Sequence, residues 1–174
     1  MKPVILLVDD EEHVLNALRR LLRTEKYQIL TATSGDQALE IMQGITPDVV
    51  VSDQKMPGIQ GTEFLKLVKE KYPGTVRIML TGHADLDTAM SAINDGAIYR
   101  FFTKPCNEID LALTIREAIQ QRNLIDHSYK LIQILKMQSS YIEQLEKEAP
   151  GISSVNRDSH GAILIKDEPY NLEK

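Results

Sequence analysis

Five residues of this chain carry groups that phosphoryl chemistry uses: Asp9, Asp10, Asp53, Thr81 and Lys104. Three carboxylates brought together are unstable alone, because like charges a few ångströms apart raise each other's pKa. A hard divalent cation bound by oxygens is the usual remedy. Magnesium fits best, since it needs only one or two protein carboxylates and keeps waters for an incoming phosphate. A carboxylate beside such an ion can attack phosphorus and become an aspartyl phosphate, with a hydroxyl and an ammonium to neutralise the transferred oxygens. Thr81 supplies the hydroxyl and Lys104 the compact positive charge. Taken singly, each residue has a blander reading. Asp9-Asp10-Glu11-Glu12 suits the acidic first turn of a helix, Asp53 a turn beside Pro57-Gly58, and Thr81 and Lys104 ordinary strand ends. The conjunction carries the claim.

The elements that must position these groups are strands. Apolar, largely β-branched runs at Val4–Val8, Asp48–Val51, Val76–Leu80 and Ile98–Phe102 each end at one of the polar groups. A weaker strand is expected at Gln28–Ala32. Helical periodicity fills the intervals. Val14, Leu15, Leu18, Leu21 and Leu22 make a first apolar stripe; Ser34 to Gln37 reads as a capping box before Ala38, Ile41 and Met42. Phe64, Leu65 and Val68 mark a third helix ending before Pro73-Gly74. A fourth, from about Asp85 to Asn94, turns Ala89, Ala92 and Ile93 inward and stops at Asp95-Gly96. Strand and helix alternate five times, which predicts an α/β fold with a parallel sheet covered on both faces. Parallel neighbours bring their C-terminal ends to one edge, where such sheets gather ligands.

These residues resemble the receiver domains of two-component response regulators, over about residues 1–122. The motifs are the acidic pair after the first strand, the aspartate after the third, the threonine after the fourth and Lys104-Pro105 after the fifth. The resemblance implies a flavodoxin-like doubly wound sheet of order 2-1-3-4-5. It implies Asp53 as phosphoacceptor, and Mg²⁺ held by Asp10, Asp53 and the backbone carbonyl of Lys55, with Asp9 acting through water. Thr81 and Lys104 would contact the phosphoryl group, and Thr81 with Phe101 would form the switch. A sensor histidine kinase is the implied partner. Lys55 and His83 stand two residues beyond Asp53 and Thr81, at positions that flank the path of the hydrolytic water, and are expected to modulate dephosphorylation. Lys55 obstructing that water would lengthen the life of the phosphoprotein; a lysine simply in solvent would not.

At 174 residues the chain accommodates one well-cored domain and an appendage. Net charge is −5 with acids and bases spread throughout, so no basic stripe invites a nucleic-acid backbone. The one cysteine, Cys106, excludes an intramolecular disulfide. The absence of a secretory pattern and of a long apolar run predicts a cytoplasmic protein off the membrane.

Beyond the receiver, Asn107 caps a helix from Glu108 that meets no Gly or Pro until Pro150-Gly151. Leu124, Ser128, Leu131, Leu135, Gln138, Ile142, Leu145 and Ala149 alternate spacings of four and three, the seam of a coiled coil with two polar interruptions. Residues 123–149 are therefore read as a helical extension. A homodimer through it, or through the face of the fourth and fifth helices, is expected, against a helix folded back at Arg122-Asn123. Residues 150–174, with apolar runs Ile152–Val155 and Ala162–Ile165 around a Gly- and Asp-bearing loop, suggest a hairpin.

Three functions compete. The first is a phosphorylation-operated interaction protein, doing no chemistry beyond its own phosphorylation and dephosphorylation. The second is the regulatory part of a longer cyclic-dinucleotide phosphodiesterase or transcription factor. The third, an aspartate-nucleophile phosphatase, is disfavoured because such enzymes want an acid where Lys55 stands.

Overall fold

The computed structural model describes residues 2–82 and 85–148, apart from the side chain of Asp126. The chain separates into two units, residues 1–125 and 126–174. In the first, strands β1 (Val4–Val8), β2 (Gln28–Ala32), β3 (Val49–Asp53), β4 (Val76–Thr81) and β5 (Arg100–Thr103) alternate with helices α1 (Glu12–Leu21), α2 (Gly35–Gly44), α3 (Gly61–Lys71) and α4 (Leu86–Asn94), and α5 (Glu108–Glu148) follows. All neighbouring strands are parallel, in the order β2-β1-β3-β4-β5.

The period-two alternation of the strands sorts their side chains between two cores. Leu6, Val8, Val50 and Met79 point to one face, against Ala38 and Met42 of α2, Phe64, Leu65 and Val68 of α3, and Ala89 and Ala92 of α4. Ile5, Leu7, Val49, Val51, Ile78 and Leu80 point to the other, against Leu15 and Leu18 of α1 and Leu111, Ile115, Ala118 and Ile119 of α5. β1, β3 and the end of β4 are buried on both faces, as parallel strands between two helical layers must be. Each large side chain so buried contributes about 1.5–3 kcal/mol relative to exposure.

Several local expectations are corrected. β3 continues through Ser52 and Asp53, because Asp53 still pairs in register with Leu80. β5 begins at Arg100, since the amides of Ala97 and Ile98 both bond back to Ala92 O at the end of α4. Ile93 is half-exposed rather than inward; Ala89 and Ala92 alone face the core from that helix. The capping box is open at one side. Ser34 Oγ accepts from Gln37 N–H at 3.2 Å, but the Gln37 carbonyl accepts from Thr33 N–H at 2.7 Å, one residue earlier than the reciprocal bond requires.

Helix α5 starts as anticipated, with Asn107 Oδ1 accepting from the amides of Ile109 and Asp110 at 2.9 and 3.4 Å. Its inner face is buried as far as Ile119. Arg116 pairs with Glu25, and Arg122 Nη1 lies 2.7 Å from Asp48 Oδ1, fastening the helix to the segments that lead into β2 and β3. The helix continues through Arg122-Asn123 without a break, and Leu131, Leu135 and Ile142 further along are exposed. Ala149 and the hairpin suggested for residues 150–174 lie outside the described residues.

One glycine is dictated by position. A Cβ on Gly61 would stand 2.2 Å from the carbonyl oxygen of Asp53 and 2.8 Å from Cα of Gln54, so α3 can begin here only against bare backbone. Gly61→Ala should destabilise the protein by about 1–3 kcal/mol, as overpacking against an unyielding backbone does; an unchanged urea midpoint would show that the turn after β3 relaxes freely.

Candidate functional site

Parallel registration delivers the polar ends to one edge. Val8 pairs with Ser52, Asp53 with Leu80, and Thr81 with Thr103, so Asp9, Asp53, Thr81 and Lys104 all lie at the C-terminal rim of the sheet. The rim is stitched by backbone bonds beyond the ladders: Gln54 N–H donates to Leu80 O at 2.9 Å and Lys104 N–H to Thr81 O at 2.8 Å. Gln54, unassigned by sequence reading, has a positioning role. Its side-chain carbonyl accepts from Thr62 N–H at 3.0 Å, holding the first turn of α3 against the residue after Asp53.

Asp9, Asp10 and Asp53 each place a carboxylate oxygen within 4.8 Å of the others'. Asp9 is fully buried and Asp53 nearly so, while Asp10 is exposed. Lys104 Nζ bridges the two buried acids, 2.7 Å from Asp9 Oδ2 and 2.9 Å from Asp53 Oδ1. The other Asp9 oxygen accepts from Glu11 N–H at 3.0 Å. Burial, chiefly, pushes the Asp53 carboxyl above its ordinary value; the Lys104 hydrogen bond and charge oppose that, Asp9 adds to it, and the Gln54 amide opposes it. Burial pulls Lys104 down, but its hydrogen bonds and charge pairing with Asp9 and Asp53 outweigh this and leave it raised.

Thr81 is buried, its hydroxyl 3.3 Å from Gly82 O. Phe101 is half-buried, opposite Met79 in register and packed on the core formed with α3 and α4. Lys55 is the expected residue that is engaged elsewhere. Its ammonium lies 3.1 Å from Asp85 Oδ2, at ion-pair distance but without the alignment of a hydrogen bond. Asp85 was missed because nothing in the sequence around the N-terminus of α4 ties it to a lysine thirty residues earlier. His83 lies outside the described residues.

A parallel α/β sheet with an acidic cluster and a lysine at its C-terminal rim defines a receiver-type phosphoacceptor module. The response regulator receiver domain model matches residues 5–116, and the chain belongs to that family. It is 34% identical over 140 residues to the hydrogenase transcriptional regulatory protein HoxA of Cupriavidus necator, an alignment that takes in 80% of this chain and 29% of that protein. It is 36% identical over 114 residues to the DNA-binding transcriptional regulator NtrC of Escherichia coli K12, across 66% of this chain and 24% of NtrC. The chain thus spans less than a third of the length of either regulator. Among solved structures, a response regulator receiver domain protein from Clostridium thermocellum superposes with a TM-score of 0.67 at 34% identity, covering 71% of this chain and 98% of that one. A protein described as an adenylate cyclase from Rhodopirellula baltica gives 0.72 at 37% identity, over 76% of this chain and 98% of that one. Receiver domains typically carry no enzymatic activity beyond phospho-transfer chemistry, and membership implies a histidine kinase as partner. No helix among the described residues is long and apolar enough to cross a membrane.

The raised pKa of Asp53 has a sign. Its folded value exceeds its ordinary 3.8, so the fold favours the protonated form, and ionisation at neutral pH works against stability. The contribution is favourable at low pH and is lost as pH rises through the folded pKa. Without divalent cations, Asp53→Asn should therefore be more stable than the parent at pH 7, by about 1 kcal/mol, as neutralised functional sites commonly are. The gap should close as pH falls into the carboxylate range; urea midpoints that coincide at pH 7 would contradict it.

Proposed function

We propose that this protein is a phosphorylation-operated signalling component of a two-component relay, acting in the cytoplasm, in which Asp53 accepts a phosphoryl group from the phosphohistidine of a sensor kinase. The observation that carries the reading is the Lys104 ammonium shared between Asp9 and Asp53, with exposed Asp10 beside them. An oxygen of Asp53 forms a bond to phosphorus while the bond from phosphorus to the kinase imidazole breaks, and the electron pair leaves with the imidazole nitrogen. Lys104 stands at the acceptor oxygen, and the Thr81 hydroxyl is in place to donate to the transferred group.

The donor set fits Mg²⁺. Three carboxylates against one ammonium leave uncompensated negative charge, and one of the acids is open to solvent. Asp10, Asp53 and the backbone carbonyl of Lys55 would hold the ion, with Asp9 joining through water. When bound, it neutralises charge on the phosphoryl oxygens. The output is a population shift: Thr81 turns toward the phosphoryl group, Phe101 fills the space, and the face of α4 and α5 changes its affinity for partners. Residues 1–122 act as the receiver, 123–149 as a helical extension that pairs with a second copy, and 150–174 as a tail.

A second reading is the N-terminal regulatory part of a longer regulator. The alignment to transcriptional regulators over less than a third of their length favours it. The open reading frame beyond Lys174 distinguishes the two.

Asp53→Asn should abolish labelling by acetyl phosphate with Mg²⁺, and labelling that survives would identify a different acceptor. Chelation of Mg²⁺ should likewise abolish labelling of the parent. Lys55, two-thirds exposed and paired with Asp85, can turn to a phosphoryl oxygen and obstruct the hydrolytic water. Lys55→Asn should then shorten the life of the phosphoprotein by about tenfold or more, on the order of the 1.5–3 kcal/mol of a hydrogen bond to a charged group; an unchanged decay rate would assign that lysine to solvent.

A further inference from the structure

Lys55 and Asp85 meet across two loops at the rim of the site. Gln54 N–H donates to Leu80 O at 2.9 Å and Asp85 N–H to Gly82 O at 3.2 Å, so both residues stand beside the end of β4. Their ion pair of 3.1 Å is unequal: the lysine side chain is 66% exposed and the aspartate side chain 22%. Asp85 Oδ2 is itself buried and makes no hydrogen bond, and Lys55 is the countercharge that the described residues offer it. A buried carboxylate oxygen that loses its cation is left at a high cost, whereas an exposed ammonium loses little by leaving. Asp85 also forgoes the bond that its position invites. An aspartate ahead of a helix ordinarily accepts from the amides of the first turn, yet Asp85 precedes α4 and caps none of them. Its backbone, at φ −115° and ψ 18°, lies outside the extended region that such a cap uses. The carboxylate is committed to the lysine rather than to its own helix.

We propose that Asp85 is a positioning residue that sets how long the phosphoryl group on Asp53 survives, by competing with that group for Lys55. The role rests on the reading of Lys55 proposed above. Once Asp53 is phosphorylated, the ammonium two residues beyond it has two anions to choose between. The low local dielectric at Asp85 Oδ2 strengthens the pull of that acid, and the solvent around Lys55 lets the side chain turn from one to the other. In hydrolysis a water oxygen bonds to phosphorus while the bond from phosphorus to the Asp53 oxygen breaks. The electron pair returns to the carboxylate, and the protons of the water leave with inorganic phosphate or to solvent. With Lys55 on Asp85 the path of that water is open; with Lys55 on the phosphoryl group it is obstructed. Asp85 thus acts through the lysine, without contact to the reacting atoms. The alternative is an ion pair that only fastens the start of α4, and it makes a different prediction.

The test is a double-variant cycle on the decay of the full chain labelled by acetyl phosphate with Mg²⁺, in the parent, Asp85→Asn, Lys55→Asn and the chain carrying both. Asparagine keeps the shape of Asp85 and removes its charge. Asp85→Asn should lengthen the life of the phosphoprotein several-fold, opposite in sign to Lys55→Asn, and should change nothing in the Lys55→Asn background. An unaltered or shortened life, or the same change in both backgrounds, overturns the positioning role and leaves Asp85 a fastening for α4. A decay unmoved by Lys55→Asn would show that the lysine never reaches the phosphoryl group, which overturns the role of Asp85 along with that of Lys55. Failure of the parent to label overturns both, since Asp53 then accepts nothing. The three failures are distinguishable from one another.

Discussion

A single ammonium, Lys104 Nζ, holds together the end of the sheet on which everything else depends. It lies within 3 Å of two carboxylates from two other strands' ends, one of them fully buried. Buried acids at that spacing repel each other, and each is costly to ionise away from water. The lysine offsets part of that cost, and the raised Asp53 pKa shows that it does not offset all of it. The site is therefore held in tension: organised enough to fix the geometry of Asp53, under-neutralised enough to favour a further cation. That is the condition a reversible acceptor needs, since a fully neutralised cluster would gain nothing from ligand.

The tension is tolerable because the scaffold beneath is over-determined. β1 and β3 are central in the sheet and sealed on both faces, so Asp9 and Asp53 leave rigid strands rather than loops. Gln54 and Gly61 then fix the turn that follows Asp53, one through a hydrogen bond to the first turn of α3 and the other by having no side chain. A phosphoacceptor on a mobile loop would sample many geometries and lose the benefit of the charges arranged around it.

The acids, the threonine and the lysine were legible in the sequence because each sits at the end of a strand-length apolar run, and parallel topology turns four sequence positions into one rim. Strand ends were less legible. Ser52 and Asp53 look polar and loop-like, yet the ladder to β4 continues through them; Ile98 looks like strand but is claimed by the end of α4. Ile93 follows the helical period and still faces outward, since periodicity gives the spacing of a stripe and not its width. The Lys55–Asp85 pair and the Gly61 approach depend on distances across the fold, which no local pattern encodes.

The two ends of α5 illustrate how one helix serves two solvents. Up to Ile119 its inner face is spent on the sheet, and Arg116 and Arg122 anchor its flanks to Glu25 and Asp48. Beyond that point Leu131, Leu135 and Ile142 are exposed, interleaved with Lys130, Lys136 and Glu143. An isolated helix of this kind is marginal in water, because nucleation and chain entropy are met only by tertiary or quaternary burial. In the reading proposed above, a shift in the receiver that changes how the first turns of α5 are seated would be passed along the helix to whatever it binds. Coupling of that sort requires no long-range pathway through the sheet. It needs only that the two receiver states present the helix to its partners with different free energies.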